Sequence, residues 1–235
     1  MKDKILVALD VETRDEALRL AETLRGSVGG FKIGSRLFTS EGPAMVRTLT
    51  EGGDRVFLDL KFHDIPNTVA TAVSAATALG VWMVNVHASG GLAMMQAARA
   101  AAHEAAAKHN LTAPLVIAVT VLTSMNQAAL RDTGVVIDLI DQVLRLAELT
   151  KEAGLDGVVA SPKETAAIRR RCGADFAIVT PGIRGGAAAA TKDDQERTMS
   201  PAEAIAAGAS YLVIGRPILS APDPRAAALK IAGAE

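Results

Sequence analysis

The chain has 235 residues, with 25 Lys and Arg against 26 Asp and Glu, which gives a net charge of −1, and it contains one cysteine. One cysteine excludes an internal disulfide and any site built from several thiolate ligands. The near-neutral charge and the 3% aromatic content argue against a nucleic-acid binder. The 49% apolar and 22% charged residues are typical of a globular protein.

Short runs rich in Val, Ile and Leu recur along the chain. They are continuously apolar rather than alternating, which predicts strands that are covered on both faces. In chain order these runs are Ile5–Leu9, Gly30–Ile33, Arg55–Leu60, Trp82–His87, Leu115–Val121, Gly157–Ala160, Phe176–Thr180 and Tyr211–Ile214. Longer segments rich in Ala, Leu and Glu separate them and have helical character.

The order strand–helix, repeated eight times, predicts an α/β protein with a parallel sheet and right-handed crossovers. Eight such units in a chain of this length predict a single (β/α)8 (TIM) barrel over residues 1–235. An open doubly wound sheet is the alternative, but no G-x-G-x-x-G follows the first strand.

Helix boundaries are marked by local signals. Capping boxes predict helix starts at Thr13–Glu16, Ser161–Glu164 and Ser200–Glu203. Gly80, Gly154 and Gly208 predict helix ends.

The chain also carries no targeting or membrane signal. Only five apolar residues, Ile5–Leu9, lie between Lys4 and Asp10, which is too few for the core of a signal peptide, and no apolar stretch approaches about 18 residues. We therefore expect a cytoplasmic protein that does not bind membranes.

Polar residues follow most of the apolar runs, and in this fold the reactive groups lie at the carboxyl ends of the strands. A single Asp in such a place is usually a helix cap or a turn residue. A set of ionised groups at one barrel mouth is costly unless its members are paired or used. The polar residues that end the runs include Asp10, Lys32, Asp59, Lys61, Asp64, Asn85, His87, Thr123 and Ser124.

The densest of these segments is Asp59–Asp64. Asp59 and Lys61 are two residues apart on a strand, so their side chains are expected on the same face, where the carboxylate favours the charged form of the lysine. Asp64 and Lys32 can extend this pair into an alternating network of charges. The alternative is a plain ion pair that closes the barrel top. His63 is interpreted as a supporting residue rather than a general base.

The loops after the last two strands predict a phosphate site. Gly215-Arg216 follows the eighth strand, and Pro181 to Arg184 follow the seventh. Glycine allows a close approach of the backbone, and arginine offers two parallel hydrogen bonds. The glycine- and alanine-rich segment 185–196 between them predicts a lid that closes over the phosphate, with a disordered insertion as the alternative.

Other candidate features are discounted. The basic run Arg169–Arg171 is interpreted as a solvated helix face, and Cys172 as an inert thiol because it has no base partner nearby in the sequence. No spacing typical of a metal site is present. We therefore expect no metal and no cofactor.

Taken together, the motifs resemble those of the orotidine 5′-monophosphate decarboxylases of the bacterial type, over essentially the whole chain. The third-strand segment is the most specific of them. The motifs are Ala8–Asp10, Phe31–Gly34, Asp59–Val69, Asn85–Ala88, Leu122–Ser124, Thr180–Arg184 and Ile214–Ile218.

The resemblance implies conversion of orotidine 5′-monophosphate to uridine 5′-monophosphate and carbon dioxide, the last step of pyrimidine synthesis, without cofactor or metal. It implies that Lys61 donates the proton to C6, within a charge network that also contains Asp59, Lys32 and Asp64. It further implies a homodimer with shared active sites, in which Asp64, Ile65 and Thr68 reach into the neighbouring subunit.

The remaining roles concern the substrate. By resemblance, Asp10 and Lys32 bind the ribose, and Asp59 lies near the departing carboxylate. The pyrimidine is lined by Thr123, Ser124 and Pro181, and the phosphate is held by Arg184, Gln195, Gly215 and Arg216.

Two other functions stay open. A magnesium-dependent sugar-phosphate decarboxylase or aldolase-like barrel would share the Asp-x-Lys-x-x-Asp motif and the phosphate site. The residues that follow, His63 to Thr68, favour the orotidylate enzyme. A catalytically silent phosphate-binding barrel is the other alternative, and the intact set of Asp59, Lys61 and Asp64 argues against it.

Overall fold

Eight parallel strands form one closed barrel in the computed structural model, which describes residues 1–183 and 199–233. Each strand pairs with its neighbours in the sequence, and the last pairs with the first. The strands are β1 (Ile5–Ala8), β2 (Gly30–Gly34), β3 (Val56–Phe62), β4 (Met83–His87), β5 (Leu115–Val119), β6 (Gly157–Val159), β7 (Ala177–Thr180) and β8 (Tyr211–Ile214).

Helices on the outside of the barrel connect the strands. Those in the described ranges are α1 (Arg14–Leu24), α2 (Ser35–Glu51), α3 (Pro66–Thr77), α4 (Gly91–His109), α5 (Gln127–Asp132), α6 (Leu139–Glu152), α7 (Thr165–Cys172), α8 (Pro201–Ala206), α9 (Arg216–Leu219) and α10 (Pro224–Ile231). The prediction of a closed (β/α)8 barrel is confirmed, and the bounds of all eight predicted strands agree within two residues. No helix among the described residues is long and apolar enough to cross a bilayer.

The helix signals work as the sequence predicts. The Thr13 hydroxyl accepts a hydrogen bond from the Glu16 amide at 3.3 Å, and Ser200 and Glu203 form a complete capping box. Gly208, which follows α8, has a φ of 106°, a backbone conformation that costs glycine little.

The interior of the barrel changes from apolar to polar along its axis. A buried cluster fills the lower and middle part and consists of Leu6, Ala8, Phe57, Met83, Ile117, Val179 and Val213. Because side chains alternate across a strand, the next inward positions of β2, β3 and β4 are Lys32, Asp59 and Asn85. The polar groups thus begin at the carboxyl end of the barrel, directly above the apolar interior.

The amino end of the barrel is closed by aromatic side chains from opposite strands. The rings of Trp82, before β4, and Tyr211, in β8, meet edge to face with centroids 5.0 Å apart. The Arg55 guanidinium lies 5.5 Å from the centroid of the Trp82 ring. This end is therefore packed, and the polar mouth is at the opposite end.

Arg169 corrects one interpretation of the sequence. Arg170 and Arg171 are exposed, as expected of a solvated face, but Arg169 is half-buried. Its guanidinium donates to the carbonyl oxygens of Gly173, Ala174, Phe176 and Gly208, and to the Ser210 hydroxyl. A basic run in the sequence does not show which of its members turns inward, because that depends on the carbonyls that the fold brings to it.

Candidate active site

The centre of the polar mouth is the carboxylate of Asp59, at a position of β3 that is 9% exposed. The Lys61 ammonium donates to its Oδ1 at 2.7 Å, and the Asn85 amide donates to the same oxygen at 2.7 Å. The other oxygen, Oδ2, lies 3.4 Å from the Lys32 ammonium. The expected proximity of Asp59, Lys61 and Lys32 is therefore present in the structure.

Lys32 links this centre to the first strand. Its ammonium is also 3.4 Å from Oδ1 of Asp10, whose side chain is about half exposed at the rim. Gly34, at the end of β2, leaves the space that this pair occupies. A Cβ on Gly34 would lie 2.9 Å from the Lys32 ammonium and 3.3 Å from the Asp10 oxygen.

The electrostatics favour an ionised Asp59. Burial alone raises the pKa of its carboxyl. The ammonium groups of Lys32 and Lys61 and the hydrogen bonds from Lys61 and Asn85 lower this pKa by more than burial raises it, so the pKa lies below the usual value. The result is one buried carboxylate between two ammonium groups.

Two histidines lie beside this group. The rings of His63 and His87 are 5.4 Å apart. Burial of His87, followed by the proximity of His63 and Lys61, lowers the pKa of His87 below 6.5. His87 is therefore neutral at pH 7, and it adds no positive charge to the mouth.

Asp64 lies outside the charge network of its own chain. Its Oδ1 accepts a hydrogen bond from the Ile65 amide at 2.6 Å, and among residues 1–183 and 199–233 it forms no ion pair. Ile65 is 67% exposed although it is large and apolar, and Thr68 is also exposed. These three residues are exposed to solvent in a single chain.

The expected pyrimidine and phosphate residues lie on the loops at the same mouth. Thr123 and Ser124 follow β5, and Pro181 follows β7. Gly215 follows β8, and Arg216 is the exposed first residue of α9. Arg184, Gln195 and the predicted lid at 185–196 lie outside the described residues. A bridge between Ile183 and Met199 brings the two flanks of that segment together.

Asn85 was named among the polar residues that end the strands, but nothing in the sequence assigns it a role in the site. It contacts both Asp59 and Lys61 and is fully buried. Its place at the end of an apolar strand was the available signal, but an uncharged amide does not show by sequence alone which groups it joins.

The described residues contain no group of three or more His, Cys, Asp or Glu side chains that could hold a metal ion. The arrangement offers instead an ammonium group at the end of β3, held by a neighbouring carboxylate. Such a group can stabilise negative charge that develops nearby and can supply a proton.

The chain is similar to known proteins over nearly its full length. A family model described as "Orotidine 5'-phosphate decarboxylase / HUMPS family" matches residues 3–231. The chain belongs to this orotidine 5′-phosphate decarboxylase / HUMPS family. Residues 3–231 include every strand and helix described above, so the family assignment rests on the whole barrel.

Curated members of the family are close to the chain in sequence. The protein from Moorella thermoacetica is 58% identical over 98% of this chain and 91% of its own length. The protein from Syntrophotalea carbinolica is 53% identical over 98% of this chain and 93% of its own length. Both are named orotidine 5′-phosphate decarboxylase.

Solved structures of similar proteins share the fold. Orotidine 5′-phosphate decarboxylase from Lactobacillus acidophilus superposes with a TM-score of 0.86 at 35% identity, covering 98% of this chain and 97% of that one. An uncharacterized conserved protein from Geobacillus kaustophilus gives a TM-score of 0.84 at 38% identity, covering 98% and 99%. The resemblance seen in the motifs of this decarboxylase / HUMPS family member therefore extends to its three-dimensional fold.

Proposed function

We propose that the protein decarboxylates orotidine 5′-monophosphate to uridine 5′-monophosphate and carbon dioxide, the last step of pyrimidine synthesis, with no metal or cofactor. The observation that carries this proposal is the Lys61 ammonium, held 2.7 Å from the buried Asp59 carboxylate at the barrel mouth. The names of the close relatives support the same reaction.

The chemistry explains why fixed charges are needed. When the C6 carboxylate leaves as carbon dioxide, the electron pair of the broken bond stays in the plane of the ring, where the π system cannot delocalise it. A fixed ammonium beside C6 stabilises that charge without reorganisation. Lys61 then transfers a proton to C6 and becomes neutral, and a proton from solvent restores it.

The neighbouring residues orient the substrate around Lys61. Asp10 and Lys32, which form one ion pair at the rim, bind the ribose. Asp59 lies at the departing carboxylate, and Thr123, Ser124 and Pro181 line the pyrimidine.

The phosphate binds at Gly215 and Arg216, together with Arg184 and Gln195. Segment 185–196 acts as a lid over the phosphate, so that energy from phosphate binding assembles the charged site. The adjacent flanks at Ile183 and Met199 support this role because both ends of the segment start from one place at the mouth.

We further propose a cytoplasmic homodimer with shared sites, in which Asp64, Ile65 and Thr68 act in the neighbouring subunit. The exposed Ile65 side chain supports this assembly, because an apolar residue with 67% exposure gains stability when a second copy covers it. Asp64, which has no ion pair in its own chain among the described residues, would then complete the charge network of the partner.

The reaction is tested by following the ultraviolet absorbance of orotidine 5′-monophosphate with purified protein and an excess of chelator. The expected result is complete conversion of the spectrum to that of uridine 5′-monophosphate. An unchanged spectrum would contradict the proposal. Activity that requires added Mg²⁺ and a sugar phosphate would instead support the magnesium-dependent alternative.

The shared sites are tested by mixing two inactive variants, Lys61→Ala and Asp64→Ala. If Asp64 acts in the partner's site, each mixed dimer contains one site with both native residues, and activity returns on mixing. If Asp64 acts in its own chain, or the protein is monomeric, mixing restores nothing. Sedimentation velocity of the unmodified protein gives the oligomeric state independently.

A further inference from the structure

The pairing of β3 with β4 is interrupted at the site. Leu58 pairs with Val84 and Phe62 pairs with Val86, so three residues of β3 stand opposite the single residue Asn85. An irregularity of this kind leaves backbone groups of the longer strand without regular partners. The backbone amide of Lys61 lies within this interruption.

The Asn85 side chain takes the place of the missing backbone partner. Its Oδ1 accepts the backbone N–H of Lys61 at 2.8 Å, and its Nδ2 donates to Oδ1 of Asp59 at 2.7 Å. A backbone N–H can only donate, and an ionised carboxylate can only accept, so a single orientation of the amide satisfies both contacts. Asn85 is 0% exposed, so water cannot replace either bond.

The backbone of Lys61 needs this support. Its φ is 54°, in the left-handed region, which is unfavourable for a residue with a long side chain. Such strained residues persist where the surrounding structure holds them, and they are common at active sites. In this conformation the ammonium meets Asp59 at 2.7 Å.

We propose that Asn85 is a positioning residue, whose amide fixes the backbone of Lys61 and the carboxylate of Asp59 at once and so directs the ammonium to the reacting carbon. This inference rests on the proposed function, since it takes Lys61 as the proton donor. Asn85 itself does not touch the substrate. It acts through the two residues that it joins.

The charged surroundings decide how substitutions behave. Asn85 does not titrate, but an aspartate in its place would share a small, buried space with the Asp59 carboxylate. Two carboxylates in such a space hold one proton between them. The ionisable groups around them come from β2, β3 and β4 and from the turn after β3, namely Lys32, Lys61, His87 and His63.

Three variants test the inference. Asn85→Leu has a similar size and loses both hydrogen bonds. Asn85→Asp keeps the acceptor for Lys61 and loses the donor to Asp59, except where the shared proton replaces it. Thr120→Val is the control, because Thr120 is a buried polar residue at the end of the neighbouring β5 that contacts neither Asp59 nor Lys61.

For Asn85→Leu we expect kcat to fall by about 10²-fold or more while KM changes by less than about threefold, because misplacement of a reacting group affects the transition state rather than binding. For Asn85→Asp we expect low activity at pH 8. The kcat of this variant, divided by the kcat of the unmodified enzyme at the same pH, should rise at least about fivefold between pH 8 and pH 5.5, because the carboxyl pair holds its proton at the lower pH. Thr120→Val should stay within about twofold of the unmodified enzyme.

Two results would overturn the role of Asn85: a folded Asn85→Leu variant with kcat within about threefold of the unmodified enzyme, or an Asn85→Asp ratio that is independent of pH. If the Leu variant does not fold, the Asp variant decides alone through its pH profile. Absence of turnover by the unmodified protein is a different result, since it would overturn the proposed function and this inference together.

Discussion

Lys61 donates a hydrogen bond from its ammonium to Asp59 at 2.7 Å although its backbone lies in the left-handed region, with a φ of 54°. The short distance therefore depends on an unfavourable backbone conformation that the surrounding strands hold in place. Because the strained backbone of Lys61 sets the position of its ammonium, we expect the contact with Asp59 to be sensitive to small changes in the surrounding residues.

Lys61→Ala tests the proton donor. The variant loses the ammonium that stabilises the developing charge, so we expect decarboxylation to fall by at least about 10³-fold while the fold remains intact. Steady-state kinetics and circular dichroism measure the two effects. Lys163→Ala, at an exposed lysine far along the chain, is the control. Appreciable turnover by Lys61→Ala would refute its role.

Arg216→Ala tests the phosphate site. A hydrogen-bonded charge that is lost from an anion site costs about 1.5–3 kcal/mol, so we expect KM for the nucleotide to rise by about 10- to 100-fold. The nucleoside without phosphate should be converted equally well by both proteins. Arg225→Ala, an exposed arginine of α10, should change neither value. Equal losses for both substrates would contradict the assignment.

Gly34→Ala tests the space around Lys32. The added Cβ would lie 2.9 Å from the Lys32 ammonium and 3.3 Å from the Asp10 carboxylate oxygen, so this ion pair must rearrange. We expect kcat/KM to fall by about 10- to 100-fold, because shifts of about 1 Å at such a site have large effects. Ser35→Ala, at the next, exposed residue, serves as the matched control. An active Gly34→Ala enzyme would show that Lys32 tolerates displacement.

Arg169→Ala tests the hydrogen bonds by which the Arg169 guanidinium joins the end of α7 to the starts of β7 and β8. Its removal leaves several carbonyl groups without a charged donor, and we expect the free energy of unfolding to fall by about 2–4 kcal/mol. The adjacent Arg170 is exposed, and Arg170→Ala should change stability by less than about 0.5 kcal/mol. Denaturant titration measures both, and equal effects would mean that the guanidinium contacts contribute little.

The lowered pKa of His87 predicts a loss of stability on acidification. Between pH 6.5 and its lower pKa in the folded protein, the unfolded chain binds more protons than the folded one. The free energy of unfolding therefore carries no penalty from His87 well above pH 6.5, and it declines as the pH falls below that value. His87→Asn should flatten the change in unfolding free energy between pH 7.5 and 5.5, whereas His103→Asn, at an exposed histidine, should not.

The barrel could be predicted because each strand is a nearly continuous apolar run and each connection carries helix signals. The proximity of Asp59 and Lys61 was expected from the two-residue period of a strand, but in the structure Lys61 meets Asp59 from a left-handed backbone conformation within an interrupted register. The contribution of Asn85 could not be predicted in this way, since it depends on the interrupted register between β3 and β4. No local sequence pattern shows where the register between two paired strands shifts.

Arg169 shows the same limit at the surface. Three consecutive arginines look alike in the sequence, but only the first meets carbonyl groups supplied by the ends of α7 and the starts of β7 and β8. Long-range contacts of this kind are set by the closure of the barrel rather than by the helix that carries the arginine.

The aromatic contact at the amino end gives the protein a built-in optical reporter. Trp82 is the only tryptophan and Tyr211 the only tyrosine in the chain, and they touch across the barrel, Trp82 from just before β4 and Tyr211 from β8. Intrinsic emission therefore responds to separation of these two strands, at the end of the barrel remote from the nucleotide. Unfolding can be followed by fluorescence in variants of the active site, without interference from the altered residues themselves.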